Sequence, residues 1–221
     1  MTVTVSQDRS DAKNRVIDGL ARLRAAFPLE QRVLDTTPAA RAAYAQLLHH
    51  WLRALTPPRS AAIDAELLAE LARLDAVVPE VLGLGCYPFS SIDTGIRVTL
   101  PGGPVNAMCA IDALAIARLA RVRARIDAAC LSCGAAITCR VEENGGLDHD
   151  QVELARVAWQ QSDDTHASCS RGLCRQIRFL CRACQEPQAS ECYSLPQAAA
   201  IGNAFFHFQS ALLAAHAGHG T

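Results

Sequence analysis

Ten cysteines, at positions 86, 109, 130, 133, 139, 169, 174, 181, 184 and 192, are the residues of this chain best equipped for chemistry, and none lies in the first 85 residues. Average usage would supply about three in this length. Two spacings stand out. Cys109 and Asp112 are three apart in a run that reads as the start of a helix, so periodicity puts them on one side of its first turn. The amide groups and macrodipole of a helix N-terminus favour a thiolate, and a neighbouring carboxylate can take the thiol proton and later return it. The second spacing is the pair Cys130-Leu-Ser-Cys133-Gly134 and Cys181-Arg-Ala-Cys184. Each Cys-x-x-Cys places two sulfurs at adjacent corners of a tetrahedron, so the two knuckles predict a structural zinc site of four cysteines. The interval between them exceeds the usual ribbon spacing, and an insertion must fill it. Unmetallated thiols and a redox pair remain open for these four.

Composition narrows the function classes. The chain has 221 residues, 50% hydrophobic and 19% charged, which excludes wholesale disorder and supplies a sizeable core. The net charge is −1, with 21 Lys+Arg against 22 Asp+Glu. A generally basic nucleic-acid footprint is therefore missing, and no nucleic-acid partner is expected. The polar start MTVTVSQDRSDAKNR has no apolar signal region, and no uninterrupted apolar run approaches the roughly 20 residues of a membrane span. The expectation is a cytoplasmic protein whose cysteines bind metal or do thiol chemistry, without membrane attachment, rather than a disulfide scaffold.

The elements that must position these residues divide near residue 80. Residues 1–80 read as a helical, winged-helix-like part: Val16, Leu20, Leu23 and Phe27 at helical spacing, then helices over 38–55 and 60–74. That part carries balanced charge and reads as a cover for the rest rather than a DNA-binding module. From Val81, turn signals alternate with strand-like runs: Ile96–Leu100, Ala135–Val141 and Gln176–Leu180. Helices are expected over 107–126 and Leu195–Ala215, and 142–170 reads as a polar loop with an amphipathic 152–159 stretch. The fold class is α+β: a small antiparallel sheet core with flanking helices in 81–221. Among the other cysteines, Cys174 precedes a strand leading into the second knuckle, and Cys169 sits in a Ser/Gly loop that reaches a site only by moving; which of the two would be a second thiolate beside Cys109 stays open. His49, His50, His207, His216 and His219 compose no motif. No phosphate loop or dinucleotide fingerprint is present, so no organic cofactor is expected.

The run Asn106-Ala-Met-Cys-Ala-Ile-Asp-Ala-Leu114 resembles the signature of the organomercurial (alkylmercury) lyases, in which an aromatic-Cys-Ala-Leu-Asp-Thr-Leu segment opens a helix. Cys130 at a strand start, Cys174 before Arg-Gln-Ile-Arg-Phe179, and the Ile201-Gly-Asn-Ala-Phe-Phe206 helix extend the resemblance over about 85–215. It implies an alkylmercury-lyase-type core and catalytic roles for Cys109, Asp112 and Cys174. Hg(II) is soft, and thiolates outcompete other side chains for it. Cys109 and Cys174 would bind the mercury of an organometallic substrate, and Asp112 would protonate the departing carbon. The chain departs from the pattern at Met108, in place of the aromatic, at Arg175, often a second Cys, and in its two Cys-x-x-Cys knuckles. Two other functions stay open. One is a non-catalytic thiol-rich protein holding zinc or a soft metal; the other is a lyase-fold enzyme recruited to a different reaction. Nothing in these patterns sets an oligomeric state.

Overall fold

A computed structural model describes residues 2–148, 151, 153–160, 168–184 and 190–217. Val152 and His219 lie outside the described residues. The helical part comprises α1 (Thr2–Ala26), α2 (Leu29–Leu34), α3 (Pro38–Ala54), a 3-10 turn (Ser60–Ala62) and α4 (Ala65–Arg73). The short α2 was not expected from the sequence. Thr37 caps α3, its hydroxyl accepting from the Ala40 amide, and Pro38 takes the first helical position, where no amide is needed. Asp64 caps α4, so that helix starts five residues later than the apolar spacing suggests.

The helical part passes into the main sheet at β1 (Val77–Glu80), ahead of the composition change at Val81. β1 is followed by β2 (Gly83–Cys86), β3 (Phe89–Ser90), β4 (Ile96–Leu100), β5 (Gly103–Ala107), α5 (Ala110–Ala120), β6 (Ala124–Ala129) and β7 (Ala136–Val141). These seven strands form one antiparallel sheet in the order β1-β2-β3-β5-β4-β6-β7. Pro79 is tolerated because β1 is an edge. β8 (Ala155–Gln160), the four-residue turn α6 (Leu173–Gln176), β9 (Ile177–Cys181) and β10 (Ser190–Ser194) follow, and the last three strands form a second antiparallel sheet, β10-β8-β9. Thus the 152–159 stretch contributes the central strand of a sheet. Two helices come next, α7 (Leu195–Phe205) and α8 (His207–Ala217).

Two expected helices are corrected. The 107–126 helix ends at Ala120, because Arg121 turns left-handed (φ 56°) and its amide closes on Ala117. The residues after it then alternate, with Ala124 and Ile126 inward and Arg123 and Arg125 outward, and they form β6. The Leu195–Ala215 helix breaks at Phe206. The stretch Leu195–His216 is by length and composition apolar enough to cross a membrane, with an 18-residue window of mean hydropathy 1.2, but 56% of that window is buried inside this fold.

One apolar cluster runs from Leu23 to Leu212 through both parts of the chain. Trp51 of α3 stacks on Phe89 with centroids 5.3 Å apart, and its ring N–H donates to the Leu84 carbonyl. Gln209 of α8 donates to the Tyr44 hydroxyl and the Tyr87 carbonyl, both at 2.7 Å. At the centre lies α5, buried except at Arg118 and its last residue: it touches β4, β5, β6 and β9 as well as α7 and α8. Gly202 lets α7 approach closely; a methyl group there would sit 2.7 Å from the Ile111 carbonyl.

Candidate active site and thiol centres

β5 delivers the chain to the start of α5, and the Met108 amide bonds the Pro88 carbonyl at 3.1 Å. Cys109 is therefore not in the first helical turn, as the sequence suggested, but is the N-cap residue, in extended conformation (φ −150°). Asp112 is the third helical residue, so the two occupy the positions that face one another in a capping box. Cys174 comes from α6, on the other sheet's side of α5. Its thiol lies 3.9 Å from an Asp112 carboxylate oxygen. The ligand atoms of Cys109, Asp112 and Cys174 all fall within 4.8 Å of one another, and the three residues are only 3%, 5% and 3% exposed.

Burial governs the acidity of Asp112 and Cys109, and hydrogen bonding that of Cys174. Desolvation pushes the Asp112 carboxyl up to about 7, partly offset by hydrogen bonding from Cys109, and pushes the Cys109 thiol up to about 11. Cys174 is raised well above the ordinary thiol value by hydrogen bonding with Cys109 and Cys169, with burial adding to it. The cavity these groups line is walled by Leu23 of α1, Phe27 just after that helix, Tyr87, Ile177, Phe205 and Phe206. Its free space is about 10 Å3, about that of a single water.

Two further residues belong to this neighbourhood, Cys169, expected to reach it only by loop movement, and Asp75, which was not anticipated. Cys169 needs no loop movement, since its sulfur already stands 3.6 Å from that of Cys174 and lines the same cavity. The loop is held by Asp75. That carboxylate accepts from the Cys169 amide at 2.6 Å, the Ser168 hydroxyl at 2.9 Å and the Tyr87 hydroxyl at 3.3 Å. Tyr87 in turn accepts from the Ser170 amide at 2.9 Å. Asp75 occupies the left-handed position (φ 55°) just after α4, where the Ala76 amide returns to Leu71 and that of Asp75 to Ala72. Glycine is the default in this helix-ending motif. An aspartate there is the one signal in the sequence that could have marked it.

The four knuckle cysteines also converge. Cys130 and Cys133 sit in the turn between β6 and β7, and Cys181 and Cys184 at the end of β9, so their centre spans the two sheets. The sulfurs are 3.7 Å apart for Cys130–Cys184, 3.7 Å for Cys133–Cys181 and 3.5 Å for Cys181–Cys184. Four thiolates on a tetrahedral zinc, each at about 2.3 Å, stand about 3.8 Å apart, so this donor set fits that ion. Gly134 adopts φ 72° to turn the first knuckle, and its amide bonds the Cys130 carbonyl at 3.0 Å. Burial would raise the Cys130 thiol, but the amides of Cys181, Cys133 and Ser132 outweigh it and hold it down to about 6. Hydrogen bonding with Cys133 and Cys181 pushes the Cys184 thiol up to about 12. Cys86, Cys139 and Cys192 are buried and join neither group. His49, His50 and His207 are exposed, and His216 bonds its own helix at the Leu212 carbonyl.

An antiparallel α+β frame closes a Cys-Asp-Cys centre under a helical cover. Residues 89–206, just over half the chain, match the alkylmercury lyase (MerB) family model, and the chain belongs to that family. Its fold is similar to the crystal structure of the mercury-bound form of MerB2, with a TM-score of 0.61 and 20% identity over 83% of this chain and 98% of that one. No curated protein sequence matches it.

Proposed function

We propose that this chain is an organomercurial lyase that cleaves a carbon–mercury bond by protonolysis, with Cys109, Asp112 and Cys174 as its reacting groups. The observation that carries the reading is the convergence of two thiols and one carboxyl within 4.8 Å in a closed apolar cavity. Cys109 displaces the ligand opposite carbon on R–Hg⁺, and its thiol proton leaves with that ligand. Cys174 adds as the second sulfur and passes its proton to Asp112. Two thiolates raise the electron density on mercury and weaken its bond to carbon. Asp112 then delivers the proton to the departing carbon, R–H leaves, and Hg(II) stays on both sulfurs with no change of oxidation state. A carboxyl that titrates near 7 is suited to both halves of this relay at neutral pH. The aromatic and aliphatic walls suit a small organomercurial with an apolar R group.

The same reading assigns zinc to Cys130, Cys133, Cys181 and Cys184 as a structural ion, on the strength of the sulfur spacing. Its contribution is to tie β9, which follows Cys174, to the β6–β7 turn.

A turnover assay on methyl- or phenylmercury with excess small thiol tests the function. Wild type is expected to release hydrocarbon and Hg(II), and Asp112→Asn to bind the organomercurial while losing turnover by at least about a thousandfold, since both proton transfers are lost. Wild type and Asp112→Asn equally inert, yet both binding Hg(II), would replace the lyase reading by metal storage. Turnover that survives in Asp112→Asn would remove the proton relay.

A further inference from the structure

Cys169 is the thiol beside the reacting groups that the relay does not use. It differs from Cys109 and Cys174 in being partly open to solvent, whereas they are sealed. Its sulfur is 3.6 Å from Cys174, and the Cys174 amide bonds the Cys169 carbonyl at 2.9 Å, so the two move as one turn. Its position is built rather than incidental. The Asp75 carboxylate, 94 residues away in the chain, binds its amide, and Ser168, Ser170 and Tyr87 complete the clamp on either side. A carboxylate stands at the left-handed helix end, where glycine would be the easier choice, and two of its three partners belong to this loop.

The arrangement addresses a problem inherent in the proposed chemistry. Two buried thiolates bind Hg(II) tightly and offer solution thiols little approach. Thiolate exchange on Hg(II) is associative, so an incoming sulfur must reach the metal before another leaves. We infer that Cys169 is the exit ligand: it adds to Hg(II) held by Cys109 and Cys174, displaces Cys109, and presents the metal to a small thiol in solution. In that step the Cys169 sulfur–mercury bond forms and the Cys109 sulfur–mercury bond breaks. The proton of Cys169 is taken up by the freed Cys109, and mercury remains Hg(II). The source of the Hg(II) rests on the lyase reading; the exchange itself does not.

The test uses mercuric chloride on the intact chain as purified, so a chain inert toward organomercurials leaves it readable. In Cys109→Ser loaded with one equivalent of Hg(II), Cys169 and Cys174 are both expected to resist iodoacetamide, mapped peptide by peptide so that the zinc ligands are scored separately. From Hg(II)-loaded Cys169→Ser, extraction of the metal by dithiothreitol is expected to be at least about tenfold slower than from wild type. The variant keeps the Asp75 contact, which is made by the backbone amide. Free alkylation of Cys169 with Hg(II) bound to Cys109→Ser, or equal extraction rates from wild type and Cys169→Ser, would overturn the assignment.

Discussion

A carboxyl group buried between two thiols is driven toward its neutral form, because desolvation penalises the anion more than weak sulfur hydrogen bonds restore it. Asp112 is that group, and its acidity has a consequence for stability as well as for proton transfer. Its folded value near 7 lies above the unfolded value of 3.8, so the folded state holds the proton more tightly. The contribution of Asp112 to stability is therefore fully present below about pH 4 and is lost as the pH rises through about 7. Asp112→Asn cannot ionise. It is expected to match wild type in thermal unfolding near pH 4 and to melt higher than wild type at pH 8. Equal melting temperatures at pH 8 would mean that the carboxylate is better solvated than its burial implies. The Cys109–Asp112 pair was legible because the two residues lie three apart at a helix start, where spacing alone dictates a shared side. Asp75 was not. Its partners lie some 94 residues downstream, and no local pattern encodes a contact made by a helix-ending residue with a distant loop.

At the scale of elements, the question is what keeps α5 and α6 in register, since one carries Cys109 and Asp112 and the other Cys174. Two devices do so from opposite sides. The knuckles join the β6–β7 turn to the end of β9, and the strand β9 follows directly from α6. Protein purified in metal-free buffer is expected to carry about one zinc per chain, and Cys133→Ser to lose both the ion and cooperative unfolding. Cys133 is exposed, so this substitution opens no cavity of its own, and retention of a wild-type melt without metal would exclude a structural ion. On the other side α7 presses on α5 at Gly202. Its backbone is unstrained, so the demand is for space alone, and Gly202→Ala is expected to cost about 1–3 kcal/mol in denaturant unfolding. The strands Ala136–Val141 and Ile177–Cys181 fell within a residue of where their patterns put them. The α5 boundary did not, because the run from Ala107 to Ile126 is apolar at both helical and alternating spacing. Only the alternation of Arg123 and Arg125 with Ala124 and Ile126 marks where the period changes from helix to strand.

The whole molecule is a thiol centre enclosed beneath a cysteine-free cover, and the confinement of all ten cysteines to residues 86–192 reflects that division. The cover is not separable from what it covers. Leu23 of α1 and Phe27 just beyond its end form part of the cavity wall, with Phe27 against Tyr87 at 4.8 Å and Phe205 at 6.3 Å. A space of about 10 Å3 admits a water and excludes any organomercurial, so entry requires a wall to move. The walls supplied by α5 and α7 are locked by close backbone packing, and the Cys169 loop is clamped by Asp75. The C-terminal end of α1, with Phe27 and Pro28 after it, is a remaining wall that neither device holds. Phe27→Leu removes ring contacts there without introducing a polar group, and is expected to lower stability by about 1 kcal/mol. It should raise the rate at which iodoacetamide reaches Cys109 and Cys174 severalfold, read by peptide mapping under native conditions. Unchanged alkylation at both cysteines, with the stability loss present, would place the entrance elsewhere than beneath α1.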